Sequence, residues 1–174
     1  ACYQKIERFF EESEYRSKIS LNHFCEFEIG WQMTCYFSFF PLVKEEWVMI
    51  MDIDEYLCLN AYPDVQGFLD SVGGTVGQVQ FPWLNLFSTK YFHENTYDIL
   101  DDSSLHASDH VKSLVRRKHV AGLGIHSHNV RSSITTLSSG EEVQKQNSHD
   151  IFVRDTTYYD HQSLYPAFLL QGAF

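Results

Sequence analysis

The stretch Trp47-Val48-Met49-Ile50-Met51-Asp52-Ile53-Asp54-Glu55-Tyr56 decides how the rest of the chain is read. Five apolar residues run straight into an acidic segment. A short unbroken apolar run bounded by charge predicts a buried strand, with Asp52 entering a turn at its end. Residues two apart share one side of a strand, so Asp52 and Asp54 are expected to converge at its carboxyl end. In open α/β sheets that edge is where ligands bind. Two carboxylates there repel each other unless a positive group sits between them, and a hard divalent cation such as Mg²⁺ or Mn²⁺ suits oxygen donors. The competing reading is a helix N-cap or a solvated turn.

The totals frame this reading. A chain of 174 residues, 44% hydrophobic and 16% aromatic, is long enough for one domain with its own core. A net charge of −10 argues against non-specific binding to nucleic acid or anionic membranes, and positive charge is dense only at Arg116-Arg117-Lys118. Cys2, Cys25, Cys35 and Cys58 show no Cys-x-x-Cys spacing, which argues against zinc and leaves disulfides and buried thiols both open. No apolar run approaches the roughly 18 residues that cross a bilayer. No signal peptide is evident, and a start at Ala1 without Met predicts a fragment or a processed form.

Outward from the central stretch, residues 3–15 predict a helix with Ile6, Phe9 and Phe10 on one face. Residues 18–21 alternate like a short strand. Phe27, Trp31, Cys35 and Phe39 predict a largely buried helix over 26–40, stopped by Pro41. Pro63-Asp64 opens a helix carrying Val65, Phe68, Leu69 and Val72, closed by Gly73-Gly74. Val76 to Pro82 alternates as a strand, with Val79 and Phe81 opposed to Gln78 and Gln80. The polar stretch 92–110 predicts a long loop, 112–115 and 120–125 short strands, 131–150 a solvated segment, and 164–170 a helix. The order of helices and strands predicts one α/β domain over 1–174.

Among the nine histidines, His126 and His128 stand out. They follow an apolar run at a spacing of two, and a strand there would present both rings to one side. A histidine at a strand end can complete an Asp-x-Asp metal site from another part of a sheet; the bland alternative is a pair of hydrogen-bonded or surface rings. His106, His110, His149 and His161 have no spacing partner and read as ordinary polar residues. There is no Gly-x-Ser-x-Gly elbow, no dinucleotide fingerprint and no phosphate loop of the Walker type.

The central stretch resembles the Asp-x-Asp segment of glycosyltransferases with the GT-A fold, most closely the family-2-like and family 92 groups. Further pieces fall in the order those groups show. Gln32 lies upstream, Phe81-Pro82-Trp83-Leu84-Asn85-Leu86-Phe87 is similar to their Trp-containing strand, and Lys112-Ser113-Leu114-Val115-Arg116 with Ile125-His126 is similar to their Lys-x-x-x-Arg segment and following His. Tyr158-Tyr159-Asp160-His161-Gln162-Ser163 resembles a later segment but has Tyr158 in place of its His. The resemblance implies a Rossmann-like mixed sheet flanked by helices. Only 51 residues precede Asp52, so part of the N-terminal nucleotide-binding region is expected to be missing.

That resemblance implies transfer of a sugar from a nucleotide-sugar, UDP-linked by preference, to a hydroxyl of a glycan or glycoconjugate. A divalent metal, Mn²⁺ or Mg²⁺, would be held by Asp52, Asp54 and His126. Glu55, Trp83, Lys112 and Arg116 would contact the substrate. No residue is singled out as the catalytic base, although Glu94, Asp98, Asp101 and Asp102 share the long loop. A eukaryotic source would imply a Golgi enzyme and a bacterial one a cytoplasmic enzyme. Two rival readings are a degenerate, non-catalytic transferase domain that binds metal or a partner, and a phosphatase with Asp52 as nucleophile.

Overall fold

The computed structural model describes residues 2–14, 16–22, 30–53, 55–86, 105–143 and 168–172. The chain is a mixed α/β structure. Helix α1 (Cys2–Glu12) is followed by a 3₁₀ turn at Arg16–Lys18, α2 (Trp31–Phe39), and strands β1 (Trp47–Met49) and β2 (Glu55–Cys58). Then come α3 (Val65–Ser71), β3 (Val76–Leu86), β4 (Leu105–Arg116), β5 (Val120–Gly122), β6 (Asn129–Val130), β7 (Ile134–Leu137) and β8 (Phe168–Gly172). Six strands form one mixed sheet in the order β1-β4-β3-β8-β2, with β7 also paired to β3.

The strand β3 is the axis of the sheet. It runs antiparallel to β4, with Val79 opposite Leu114 and Phe81 opposite Lys112, and parallel to β7 and β8. Side chains alternate across a strand, so Val79, Phe81 and Trp83 share one face and join Phe68 of α3, Val76 and Leu114 in the core. Phe68 meets Phe81 at 5.3 Å and Tyr62 at 5.1 Å between ring centroids. The helix α3 starts where the sequence places it, because the Asp64 carboxylate accepts the Gly67 N–H at 2.8 Å. Its end differs: Val72 turns extended, and Gly73-Gly74 do not supply a left-handed cap.

Gln78, on the other side of β3, is buried as well. Its amide Nε2 donates to Ser127 Oγ and Thr135 Oγ1, while its Oε1 accepts the His128 N–H at 2.8 Å. Both faces of this central strand are therefore covered, one by apolar side chains and the other by a hydrogen-bonded polar layer.

Several expectations are corrected. The strand after Trp47 is half-buried, because among the described strands β1 lies at the edge of the sheet with β4 as its neighbour. Residues 18–21 form no strand; Ile19 and Leu21 are exposed. The described helix α2 begins after Gly30, at φ 87°, and buries none of its residues fully: Cys35, Tyr36 and Phe39 are half-buried on one side, while Trp31 and Phe37 are exposed. Residues 105–110 of the expected loop belong to β4, and the expected solvated segment contains β7, where Ile134-Thr135-Thr136-Leu137 follows strand propensity. Of the expected C-terminal helix over 164–170, residues 168–170 belong instead to β8, which pairs with β2 and β3, and 164–167 lie outside the described residues. Short apolar runs do not distinguish these outcomes by themselves.

Candidate functional site around Lys112

The acidic segment folds as a turn and not as a strand end. β1 stops at Met49; the Glu55 N–H then donates to the Asp52 carbonyl at 3.1 Å, and the Asp52 N–H donates to Glu55 Oε2 at 2.7 Å. This reciprocal pair brings Asp52 and Glu55 together at a spacing of three, where the strand reading had paired Asp52 with Asp54. Asp54 lies outside the described residues. Ile53, at the tip of the turn, is fully exposed.

Opposite the turn stands Lys112 on β4. Its ammonium donates to Asp52 Oδ2 at 3.0 Å and lies 3.2 Å from Glu55 Oε1. The side chains are 1% exposed for Lys112, 0% for Glu55 and 42% for Asp52. Burial alone would push the Lys112 pKa down, but the hydrogen bond to Asp52 and the charges of both carboxylates outweigh it and hold the ammonium above its ordinary value. Burial raises Glu55, against the opposing pull of the Asp52 N–H and Lys112. One positive charge thus faces two negative ones, and the carboxylate with access to solvent is Asp52.

Next to this trio is an aromatic and imidazole cluster. Lys112 Nζ lies 5.7 Å from the centre of the buried Trp83 ring, a cation–π arrangement. Trp83 contacts His110 at 5.5 Å and His126 at 5.6 Å, and the two imidazoles are 4.9 Å apart. Burial, with His110 and Lys112 nearby, lowers the pKa of His126, opposed by a hydrogen bond at the Val111 backbone and by Asp52. His126 Nδ1 and Trp83 Nε1 are buried without a hydrogen-bond partner among the described residues.

His126 and His128 sit in the loop joining β5 to β6, not on a strand, and do different work. His128 Nδ1 accepts the Gly124 N–H at 3.2 Å, and burial lowers its pKa to about 4. The loop needs glycine at 124, because a Cβ there would collide with the Ser127 carbonyl. Its position over the sheet is fixed by Ser113 Oγ, which donates to the His126 carbonyl at 2.8 Å.

The structure therefore brings Asp52, Glu55, Trp83, Lys112 and His126 together. Arg116 stands apart, about 13 Å further along β4. Its guanidinium stacks 4.6 Å from the Trp47 ring and pairs with Glu46 at 3.3 Å, so it anchors the edge strand β1. Two residues of this region carry no mark in the motif reading. His110 is two positions before Lys112 on the same face of β4, a spacing that the loop expectation for 92–110 concealed. Tyr36 of α2, whose hydroxyl accepts from Gln32 Nε2 at 2.7 Å, lies within electrostatic reach of Lys112, Asp52 and Glu55.

In donor type, Asp52 and His126 fit a hard divalent cation: a solvent-facing carboxylate and an unpartnered imidazole nitrogen. No group of three ligating side chains occurs among the described residues, from which Asp54 is missing. No described helix is long and apolar enough to cross a membrane. The chain matches no family model and no curated protein.

Proposed function

We propose that this chain is a metal-dependent glycosyltransferase domain of the GT-A type, which moves a sugar from a nucleotide-sugar, preferably UDP-linked, to a hydroxyl of a glycan or glycoconjugate. The observation that supports this reading most is the excess negative charge at the turn after β1. Lys112 balances only one of the two carboxylates it touches, and Asp52 keeps access to solvent. Such a site attracts a divalent cation and, through it, a diphosphate.

In this reading Asp52, Asp54 and His126 hold the ion, Mn²⁺ or Mg²⁺. When bound, the ion would stabilise the negative charge that develops on the departing nucleoside diphosphate. Glu55 keeps Asp52 in place through its backbone N–H, Lys112 adds fixed positive charge beside the phosphates, and Trp83 walls the site against water.

A non-catalytic reading draws on the same ion pair, because Lys112 already satisfies Asp52. One calorimetric experiment separates the two: UDP is titrated into the chain with Mn²⁺, without Mn²⁺, and after Asp52→Ala plus Asp54→Ala. Binding that needs both the metal and the carboxylates supports the transferase. A folded chain that binds UDP under none of these conditions overturns it.

A further inference from the structure

We infer that Lys112 is the resident cation of the Asp52 site, and that a divalent ion enters by taking Asp52 away from it while Glu55 retains the ammonium. The inference rests on the metal site proposed above and concerns how that site is gated.

Lys112 projects from β4, an inner strand of the sheet, opposite Phe81 of β3, and its side chain is almost fully buried. Its ammonium is therefore fixed by the sheet, whereas Asp52 belongs to a turn that borders solvent. The ammonium has two anionic partners of unequal character. Glu55 has no exposure, and its other oxygen is fastened to the Asp52 N–H. Asp52 is half-buried and joins the ammonium through one oxygen, Oδ2. If an incoming cation claims Asp52, Lys112 still has Glu55 at 3.2 Å, so neither buried charge is stranded. Without Glu55, releasing Asp52 would leave a buried ammonium unpaired. Glu55 is thus a positioning residue that makes the exchange affordable, and the occupancy of Asp52 by Lys112 sets a threshold for metal entry.

The decisive comparison keeps net charge constant. In Lys112→Met/Glu55→Gln both buried charges disappear together, side-chain size is nearly preserved, and the new amide can still accept the Asp52 N–H. If Lys112 competes for Asp52, calorimetry shows Mn²⁺ binding about tenfold tighter than in the native chain. Equal affinity means that only net charge matters, and weaker affinity means that Lys112 helps to present Asp52; either result overturns the inference. Native protein binding no Mn²⁺ at all overturns the metal reading itself, and the inference with it. A second measurement needs no buried substitution. In the ¹⁵N spectrum of the lysine ammonium groups, Mg²⁺ should move the Lys112 signal of the native chain toward its position in Asp52→Ala. A Lys112 signal that stays in place at saturating Mg²⁺ overturns the exchange.

Discussion

The Lys112 ammonium meets the Asp52 carboxylate at 3.0 Å although 60 positions separate them in the chain. The antiparallel pairing of β1 with β4 brings this about: Met49 lies opposite Leu114, so the turn that follows β1 is delivered to the neighbourhood of Lys112. The acidic turn is thus tied to the central strands through a charge buried among its partners.

Removing that charge alone should be costly. Lys112→Met leaves the fully buried Glu55 carboxylate without its cation, so urea denaturation should show a loss of about 3–5 kcal/mol. Most of the loss should return in Lys112→Met/Glu55→Gln. A single variant as stable as the native chain would mean that the ion pair contributes nothing to the fold.

Stability should also fall in mild acid because of His128. Its pKa is about 4 in the folded chain against an ordinary 6.5, so the unfolded state binds its proton first. Its contribution is complete above pH 6.5 and is lost as pH falls toward 4, by roughly 3 kcal/mol over that window. Protonation also ends the acceptance of the Gly124 N–H at Nδ1. In His128→Asn, whose side-chain oxygen can take over that acceptance, the denaturation midpoint should depend less steeply on pH across this range. An unchanged slope would assign the acid sensitivity to other groups.

Arg116 should behave as a structural residue. Arg116→Lys weakens the stacking on Trp47 and costs about 1 kcal/mol, read as a small fall in melting temperature. Titrations of Mn²⁺ and UDP should be unaffected. A loss of nucleotide affinity comparable to that of Asp52→Ala would return Arg116 to the binding site.

Cys58 should be slow to react. Its thiol is free, and burial pushes its pKa up to about 11, so little thiolate is present at pH 8. Peptide mapping after iodoacetamide treatment of the folded chain should show alkylation about 100-fold slower than for an unstructured cysteine. Rapid labelling would contradict the burial of this side chain.

By itself, the sequence determined the local features: the start of α3 from Asp64 and its apolar spacing, the alternation of Val79 and Phe81 in β3, and the strand that leads into an acidic turn. These follow from capping, periodicity and charge, which act over a few residues. Tertiary structure decided what local pattern leaves open. The same apolar signal describes a buried central strand and a half-buried edge strand, and only the pairing with β4 made β1 the latter. The spacing of Asp52 and Asp54 predicted that those two carboxylates converge, whereas the reciprocal hydrogen bonds bring Asp52 together with Glu55. The stretch 164–170 reads as a helix, whereas Phe168–Gly172 forms a strand because β2 and β3 supply its hydrogen-bond partners. His110, Lys112 and Asp52 became neighbours through pairing across the sheet, and distance along the chain carries no trace of that.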